Sequence, residues 1–425
     1  MSRVRIFLVT AALIIGIIGC VPVQHDVTVS GTEGGKVTTP GEDTFTYNEG
    51  RVVELVATPD AGYRFVEWTG DVDTIANVNA AITTVTIKGD YSILANFGLE
   101  ISEIRNWYDL DAIRNNLGSR YILMNDLDST TAGYVELASE TANQGMGWQP
   151  IGTPDDQFIG SFDGHGYEIK DLFTNCPDED SAGLFGEVGK EGITKDIGVV
   201  NLTVIGNDYV GGLVGHTEGT VSNSYSNGNV NGTEHVGCLV GHNGGIVNNS
   251  YASGSVTGDS RVGGLVGWNQ ATLSNSYSSC SVTGNSSVGG LVGDNWYYEG
   301  TVSNSYSTGS VTGGRRVGGL VGVNYYGSVT HSYSTGRVNG SSQVGGLVGY
   351  NTDTVSNSFW DTETSGQATS DGGTGKTTAE MRNIAAFSES RWDIIAVTDP
   401  GTRNPSYVWN IVDHVTYPFL SWQPV

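Results

Sequence analysis

Six copies of one phrase constrain this chain more than any other feature: Val210-Gly-Gly-Leu-Val-Gly215, Val236-Gly-Cys-Leu-Val-Gly241, and its equivalents at 262–267, 288–293, 317–322 and 344–349. Their leucines stand at 213, 239, 265, 291, 320 and 347, a period of about 26 residues. A second phrase runs between them, clearest at Val302-Ser-Asn-Ser-Tyr-Ser-Thr-Gly-Ser-Val-Thr-Gly313. Each repeat holds three short β-branched or aromatic runs separated by Gly, Asn and Ser, without helical periodicity. Strands this short cannot bury a face alone. Stacked coil on coil, they place identical residues above one another at about 4.8 Å. Leu291, Val302, Tyr306 and their equivalents become continuous apolar ladders, each buried side chain contributing roughly 1.5–3 kcal/mol before entropy is subtracted.

Two asparagine columns follow the same register: Asn223, Asn249, Asn275, Asn304 and Asn357, interrupted by His331, and Asn243, Asn269, Asn295, Asn324 and Asn351. Stacked amides donate and accept along the axis and satisfy polar groups at the turns. The predicted fold is all-β: a right-handed parallel β-solenoid of about 26 residues per coil, with short helical caps, preceded by a small antiparallel β domain.

These phrases resemble the GLUG motif of bacterial and archaeal surface proteins, whose Gly-Leu-Val-Gly core stands at Gly212–Gly215 and Gly264–Gly267. The resemblance extends to Gly183-Leu-Phe-Gly186, Trp148-Gln-Pro-Ile-Gly152, Phe158–Gly164 and Ser358-Phe-Trp-Asp361, and spans about residues 101–425. It implies a surface-exposed repeat region, often appended to other modules, with no common catalytic site.

Residues 1–20 read as a lipoprotein signal peptide. Arg3 and Arg5 precede an apolar run from Ile6 to Ile18, and Ile17-Ile-Gly-Cys20 resembles the bacterial lipobox. Lipidation of Cys20 would tether the mature chain to the outer face of a membrane, the expected location being the cell surface. Residues 26–98 form a separate unit with period-two alternation at Asp26–Ser30, Arg51–Ala57 and Thr83–Ile87. Pro59–Asp71, closed by Ile93-Leu-Ala-Asn-Phe97, resembles the divergent internalin-type bacterial repeat, which implies a β-grasp-like or immunoglobulin-like spacer. Phe65 and Trp68 there read as core aromatics.

Residues 101–180 are expected to hold an N-terminal cap and irregular early coils, 181–360 the regular solenoid and 361–425 a C-terminal cap. Trp107, Leu110, Ile113 and Leu117 recur every three or four residues, predicting a short helix that ends at Gly118, ahead of a first strand at Tyr121–Leu127. Caps of this kind block edge pairing between molecules. Asp371-Gly-Gly-Thr-Gly-Lys-Thr377 is not a phosphate loop, since Ser370 stands where its first glycine belongs and no apolar strand precedes it. Thr377 and Glu380 instead have capping-box spacing ahead of a helix over Ala379–Phe387. Trp392, Trp409, Tyr417, Phe419 and Trp422 supply the core of that cap.

Twenty Lys and Arg against 45 Asp and Glu give a formal charge of −25, which argues against nucleic acid as a partner. The same acidity is compatible with a structural calcium ion, although no nonapeptide calcium repeat or Asp-x-Asp-x-Asp-Gly loop occurs; no cofactor is expected. Neither His-Glu-x-x-His nor Gly-x-Ser-x-Gly is present. Acids in the regular coils are out of register, which disfavours a glycan-cleaving carboxylate pair. Asp155, Asp156, Asp163 and His165 in the early coils keep an enzymatic alternative open, although Phe-Asp-Gly-His-Gly reads more simply as a turn.

His216 and His242, one coil apart, make a weak metal pair without a third ligand. Cys238 and Cys280 replace repeat glycines and, with Cys176, are an odd set for disulfides. The aromatic flank at Trp268, Trp296, Tyr297, Tyr298, Tyr325 and Tyr326 is the candidate ligand-binding surface, suited to a glycan or a surface-protein partner. The expected function is therefore a lipid-anchored, non-catalytic surface repeat protein for adhesion or ligand binding. The alternatives are an extracellular polysaccharide-active β-helix enzyme and a purely structural envelope component.

Overall fold

The computed structural model describes residues 22–60, 62–296 and 299–424, and the chain divides into two compact units, 1–100 and 101–425. In the first unit seven strands, β1 (Gln24–Gly31), β2 (Gly35–Thr39), β3 (Thr44–Asn48), β4 (Val52–Pro59), β5 (Tyr63–Gly70), β6 (Ile82–Thr86) and β7 (Tyr91–Leu99), form two sheets. Their orders are β3-β1-β7-β5 and β2-β4-β6. All pairs are antiparallel except β1 with β7. Alternation puts Val27, Val29, Leu55, Val85, Ile93 and Ala95 into one shared core. Trp68 is buried there and its indole Nε1 donates to the Ala80 carbonyl at 2.9 Å, while half-buried Phe65 packs against it at 5.4 Å between ring centroids.

The second unit is a parallel β-solenoid whose regular coils each contribute short strands to four faces. In the coil opening at Asp208 they are Asp208–Gly211, Val214–Thr217, Thr220–Ser222 and Tyr225–Asn231. We call the faces they build the glycine, asparagine, valine and tyrosine faces. Each strand pairs in parallel with its counterpart one repeat later: Val210 with Val236, Val214 with Val240, Val221 with Val247 and Tyr225 with Tyr251.

Four strands, where three runs are evident in sequence, follow from a sharp corner inside the Val-Gly-Gly-Leu-Val-Gly phrase. A Cβ on Gly211 would stand 2.1 Å from the Val214 carbonyl oxygen, and on Gly263 1.9 Å from that of Val266, so only glycine lets the chain fold back there. The corner turns the leucine inward. Leu213, Leu239, Leu265, Leu291, Leu320 and Leu347 are fully buried, and their backbones bond in series, Leu213 N to the Leu239 carbonyl at 3.0 Å and Leu239 N to that of Leu265 at 3.1 Å. Valine columns from the four faces complete a continuous core.

The two asparagine columns do different work. Asn243, Asn269, Asn295, Asn324 and Asn351 form an unbroken ladder, each Nδ2 donating to the next Oδ1 at 2.7 Å. In the other column Asn223, Asn249, Asn275, Asn304, His331 and Asn357 all have φ between 46° and 49°, so the left-handed turn selects the residue type. Only part of that column bonds along the axis, as where Asn249 Nδ2 donates to Asn223 Oδ1 at 3.2 Å.

Next to it runs a buried serine ladder with no apolar signature. The Oγ atoms of Ser250, Ser276, Ser305, Ser332 and Ser358 each donate to the carbonyl two residues back at 2.7–2.9 Å and accept from the preceding coil's serine backbone N at 3.1–3.2 Å.

At the N-terminal end the helix spans Trp107–Asp111 with Asn106 as its N-cap, then tightens to a 3₁₀ turn over Ala112–Asn115. Trp107, Leu110 and Ile113 are fully buried, and Trp107 packs on Trp148 at 5.8 Å. Strand Ile101–Ile104 pairs with Arg120–Leu123, so the edge strand lies ahead of the helix rather than at Tyr121.

At the other end the Gly-rich segment caps the last coil. Ser370 Oγ accepts from Val348 N at 2.8 Å, Asp371 Oδ2 accepts from Asn351 N at 2.7 Å, and Thr374–Lys376 pairs with Phe359–Asp361. Thr377 and Glu380 form the expected capping box, but the helix stops at Met381 and restarts over Ala385–Ser388, where the Asn383 side chain accepts from Ala385 N at 2.9 Å. The remaining residues lie along the tyrosine face. Trp409 stands 6.0 and 5.8 Å from Tyr306 and Tyr333, and Trp422 Nε1 donates to the Asn275 carbonyl at 3.0 Å.

Candidate functional site

Two columns interlock along the edge between the glycine and asparagine faces. One comprises Tyr209, His235, Arg261, Ser287, Arg316 and Gln343, each the residue before a repeat valine and each with φ between 50° and 55°. The left-handed backbone swings these side chains toward the outward column of the asparagine face, Glu187, His216, His242, Trp268, Asp294, Val323 and Tyr350. The His216 and His242 rings stack at 4.5 Å and 8°, His242 on Trp268 at 4.4 Å, and Tyr209 and His235 stack beside them at 4.9 Å.

Carboxylates close both ends of this stack. Glu187, held by Ser181 Oγ at 2.6 Å, meets His216 Nδ1 at 2.7 Å. Asp294 receives Arg261, whose Nε lies 3.5 Å away and whose guanidinium covers the Trp268 ring at 5.7 Å. Burial lowers the His242 pKa to about 3, helped by the neighbouring His216 charge, and burial raises that of Asp294 to about 7 against the pull of Arg261 and Arg316.

The stack absorbs Trp268, which the sequence grouped with Trp296; among the described residues no ring contact joins the two. Trp296 instead stacks on Tyr325 at 4.3 Å and 24°, and Tyr325 meets Tyr326 edge-on at 4.3 Å. Tyr326 is 42% exposed. Tyr297 and Tyr298 lie outside the described residues, as does Cys20.

Below the histidines a groove of about 620 Å³ is lined by Lys190, His216, Glu218, His242, Gln270 and Glu299, taken from successive coils. His242 Nε2 donates to Gln270 Oε1 at 2.9 Å inside it. Glu299 follows Trp296 by three positions, in the turn of the longest regular coil. Nothing in the residue types before the repeat valines announces the Tyr209–His235–Arg261 column. Its signal is positional, since the same slot in every coil has the left-handed backbone.

The face-to-face packing of His216 and His242 spends their ring faces on each other and one nitrogen of each on Glu187 or Gln270. Among the described residues no group of three or more His, Cys, Asp or Glu is placed to hold a metal ion. In the early coils Asp163 accepts from His165 N at 2.8 Å in a turn where His165 has φ 53°. Lys195 bridges Asp163 and Asp196, and Lys170 bridges Asp126 and Glu168 at 2.8 and 3.0 Å. Asp156 and Thr153 exchange backbone bonds at 3.0 and 3.1 Å in an exposed turn. Among the described residues no helix is long and apolar enough to cross a membrane.

The four-faced parallel coil and its repeating columns define the unit spanning 101–425 as a β-solenoid repeat protein. Residues 206–231, 284–312 and 313–339 match the GLUG motif, and residues 25–100 match the divergent InlB B-repeat domain. The chain thus carries both modules in tandem.

Among proteins of known sequence it is similar to halomucin of Haloquadratum walsbyi, 33% identical over 207 residues, covering 47% of this chain and 2% of that protein. It is also similar to a candidate Gly-rich membrane protein of Evansella cellulosilytica, 35% identical over 119 residues, covering 27% of this chain and 13% of that protein. The chain therefore spans only a small part of the curated relatives it matches. Among solved structures it resembles a candidate immunoglobulin A1 protease from Bacteroides ovatus, with TM-score 0.46 and 20% identity over 76% of this chain and 92% of that one. A second, described as an IgA1 protease, has TM-score 0.43 and 12% identity over 91% of this chain and 33% of that one.

Proposed function

We propose that this is a lipid-anchored cell-surface protein whose solenoid binds a glycan without cleaving it. The observation that carries the reading is the groove along successive coils, polar in its lining, close in sequence to the Trp296–Tyr325–Tyr326 aromatic group. Polar side chains at successive coils suit the hydroxyls of an extended saccharide, and aromatic faces suit its pyranose rings. With a formal charge of −25, a neutral or cationic glycan is favoured over a polyanionic one. The name of the Evansella relative, a Gly-rich membrane protein, and the lipobox-like Ile17–Cys20 support a place at the membrane surface.

The non-catalytic part of the reading rests on the early-coil carboxylates, the region that kept an enzymatic alternative open. Asp163, Asp196, Asp126 and Glu168 are all bound to lysines. A glycosidase pair needs one carboxyl free to protonate and another free to attack or activate water.

The full chain carrying Cys20→Ala, applied to an array of neutral, cationic and acidic polysaccharides, tests the proposal by retention and by released products. We expect retention on neutral or cationic glycans without products. Trp296→Ala and Tyr325→Ala should each weaken binding about tenfold, the loss of roughly 1.4 kcal/mol of stacking. Released oligosaccharides would overturn the non-catalytic reading, and unchanged affinity in both folded variants would remove the aromatic group from the site. Incorporation of a labelled fatty acid that disappears in Cys20→Ala tests the anchor.

A further inference from the structure

Two cysteines interrupt the repeat at glycine positions on consecutive coils. Cys238 stands where other coils have Gly212, Gly264, Gly290, Gly319 and Gly346, and Cys280 where they have Gly228, Gly254, Gly309 and Gly336. The first of these slots is normally closed to a side chain. A Cβ on Gly264 would lie 2.2 Å from Ser278 Oγ, on Gly290 2.7 Å from Ser307 Oγ, and on Gly319 2.8 Å from Ser334 Oγ. In the Cys238 coil the equivalent serine is Ala252, which opens space for the thiol.

Cys238 Sγ points across that space to the Ser253 carbonyl at 3.5 Å. The register Ala252–Ser278 and Ser255–Ser281 brackets Cys280 directly against Gly254, the residue after Ser253. Both thiols are fully buried at this step between the two coils. Three substitutions, at 238, 252 and 280, thus converge on one point between two coils.

We propose that Cys238 and Cys280 close a disulfide that staples one coil of the solenoid to the next. The oxidant is a disulfide, either a small-molecule one such as oxidised glutathione or that of a thiol oxidoreductase. The Cys238 thiolate attacks one donor sulfur, forming a mixed disulfide and releasing the first donor thiolate. The Cys280 thiolate then attacks the Cys238 sulfur, forms the Cys238–Cys280 bond and releases the second. Two thiols lose two protons and two electrons, and the donor disulfide is reduced to two thiols. Because both sulfurs are buried in the stacked solenoid, exchange takes place while these coils are apart, before the core closes over them. An extracellular location would supply the oxidising conditions that keep the bond.

The experiment uses the full chain with Cys20→Ala, refolded with oxidised glutathione or with reductant, alkylated in denaturant and mapped by mass spectrometry without reduction. We expect the Cys238 and Cys280 peptides to be joined, two hydrogens lighter than their sum, with Cys176 alkylated. Reduction should lower the unfolding midpoint by several degrees. Cys238→Gly and Cys280→Gly restore the residue of the other coils, so both should fold and their midpoints should not respond to reductant. Alkylation of both cysteines after oxidative refolding, or pairing of either with Cys176, would overturn the proposal. So would a reductant response that persists in Cys238→Gly.

Discussion

Asp294 occupies a slot that the coils on either side fill with Trp268 and Val323, and it is almost fully buried there, at 3% exposure. Burial raises its pKa from 3.8 to about 7, although Arg261 and Arg316 pull the other way. Between those values the unfolded chain has released a proton that the folded chain keeps. Stability therefore falls as pH rises through that window, by up to about 1.4 kcal/mol per unit. Asp294→Asn should raise the unfolding free energy at pH 8, read from urea titrations, by on the order of 1–3 kcal/mol, and leave it nearly unchanged at pH 4.

His242 works in the opposite sense. Its pKa falls from 6.5 to about 3, so its contribution is lost as pH drops through that interval while the unfolded chain gains a proton. In His242→Gln the acid-side loss should flatten, leaving the Asp294 slope exposed. A pH series of urea midpoints on the two variants separates the terms, and parallel curves for all three proteins would refute both assignments.

At the level of the element, the two asparagine columns look alike in sequence and bond differently. Asn269 is fully buried between Asn243 and Asn295 and passes one hydrogen bond up and another down. Replacing it with Ala strands Asn295 Oδ1 and removes an acceptor from Asn243. The expected cost is about 2–3 kcal/mol, read as a lowered denaturation midpoint. Asn275 has φ 49°, and its backbone carbonyl rather than its amide is what Trp422 uses. Asn275→Gly should therefore be nearly neutral, while Asn275→Val should cost about 1–3 kcal/mol through backbone strain. Equal losses for Asn269→Ala and Asn275→Gly would mean that both columns act through their amides.

On the scale of the whole solenoid unit, the tyrosine face is the one that is covered. Tyr277, Tyr306 and Tyr333 stack at 4.9–5.0 Å with nearly parallel rings, and Trp392, Trp409 and Trp422 lie over the column. Tyr306 Oη donates to Gln423 Oε1 at 2.8 Å and Tyr333 Oη to the Pro418 carbonyl at 2.5 Å. The C-terminal segment thus clamps several coils at once, an arrangement that opposes fraying where each coil otherwise touches only its neighbours. Deleting residues 378–425 should leave parallel β structure by circular dichroism while exposing this aromatic strip. Dye binding and concentration-dependent association by size exclusion would follow. A monomeric truncation with an unchanged unfolding midpoint would show that the clamp carries no stability.

The period of the leucines determined the parallel solenoid, because in a stacked coil equal positions in sequence become neighbours in space. The Leu, Val and Tyr ladders and the amide column follow from that one rule, while the capping box at Thr377 is legible from its own local spacing. Tertiary structure decided what repetition does not encode. Trp268 joins His235, His242 and Arg261 rather than Trp296, because a left-handed residue in each coil redirects its side chain across the edge between two faces. The serine ladder is buried despite its polarity, since each Oγ finds both a carbonyl and a backbone N–H. Trp422 reaches Asn275 from 147 residues away, and the last stretch of chain, having no period of its own, finds its place only once the tyrosine face exists to receive it.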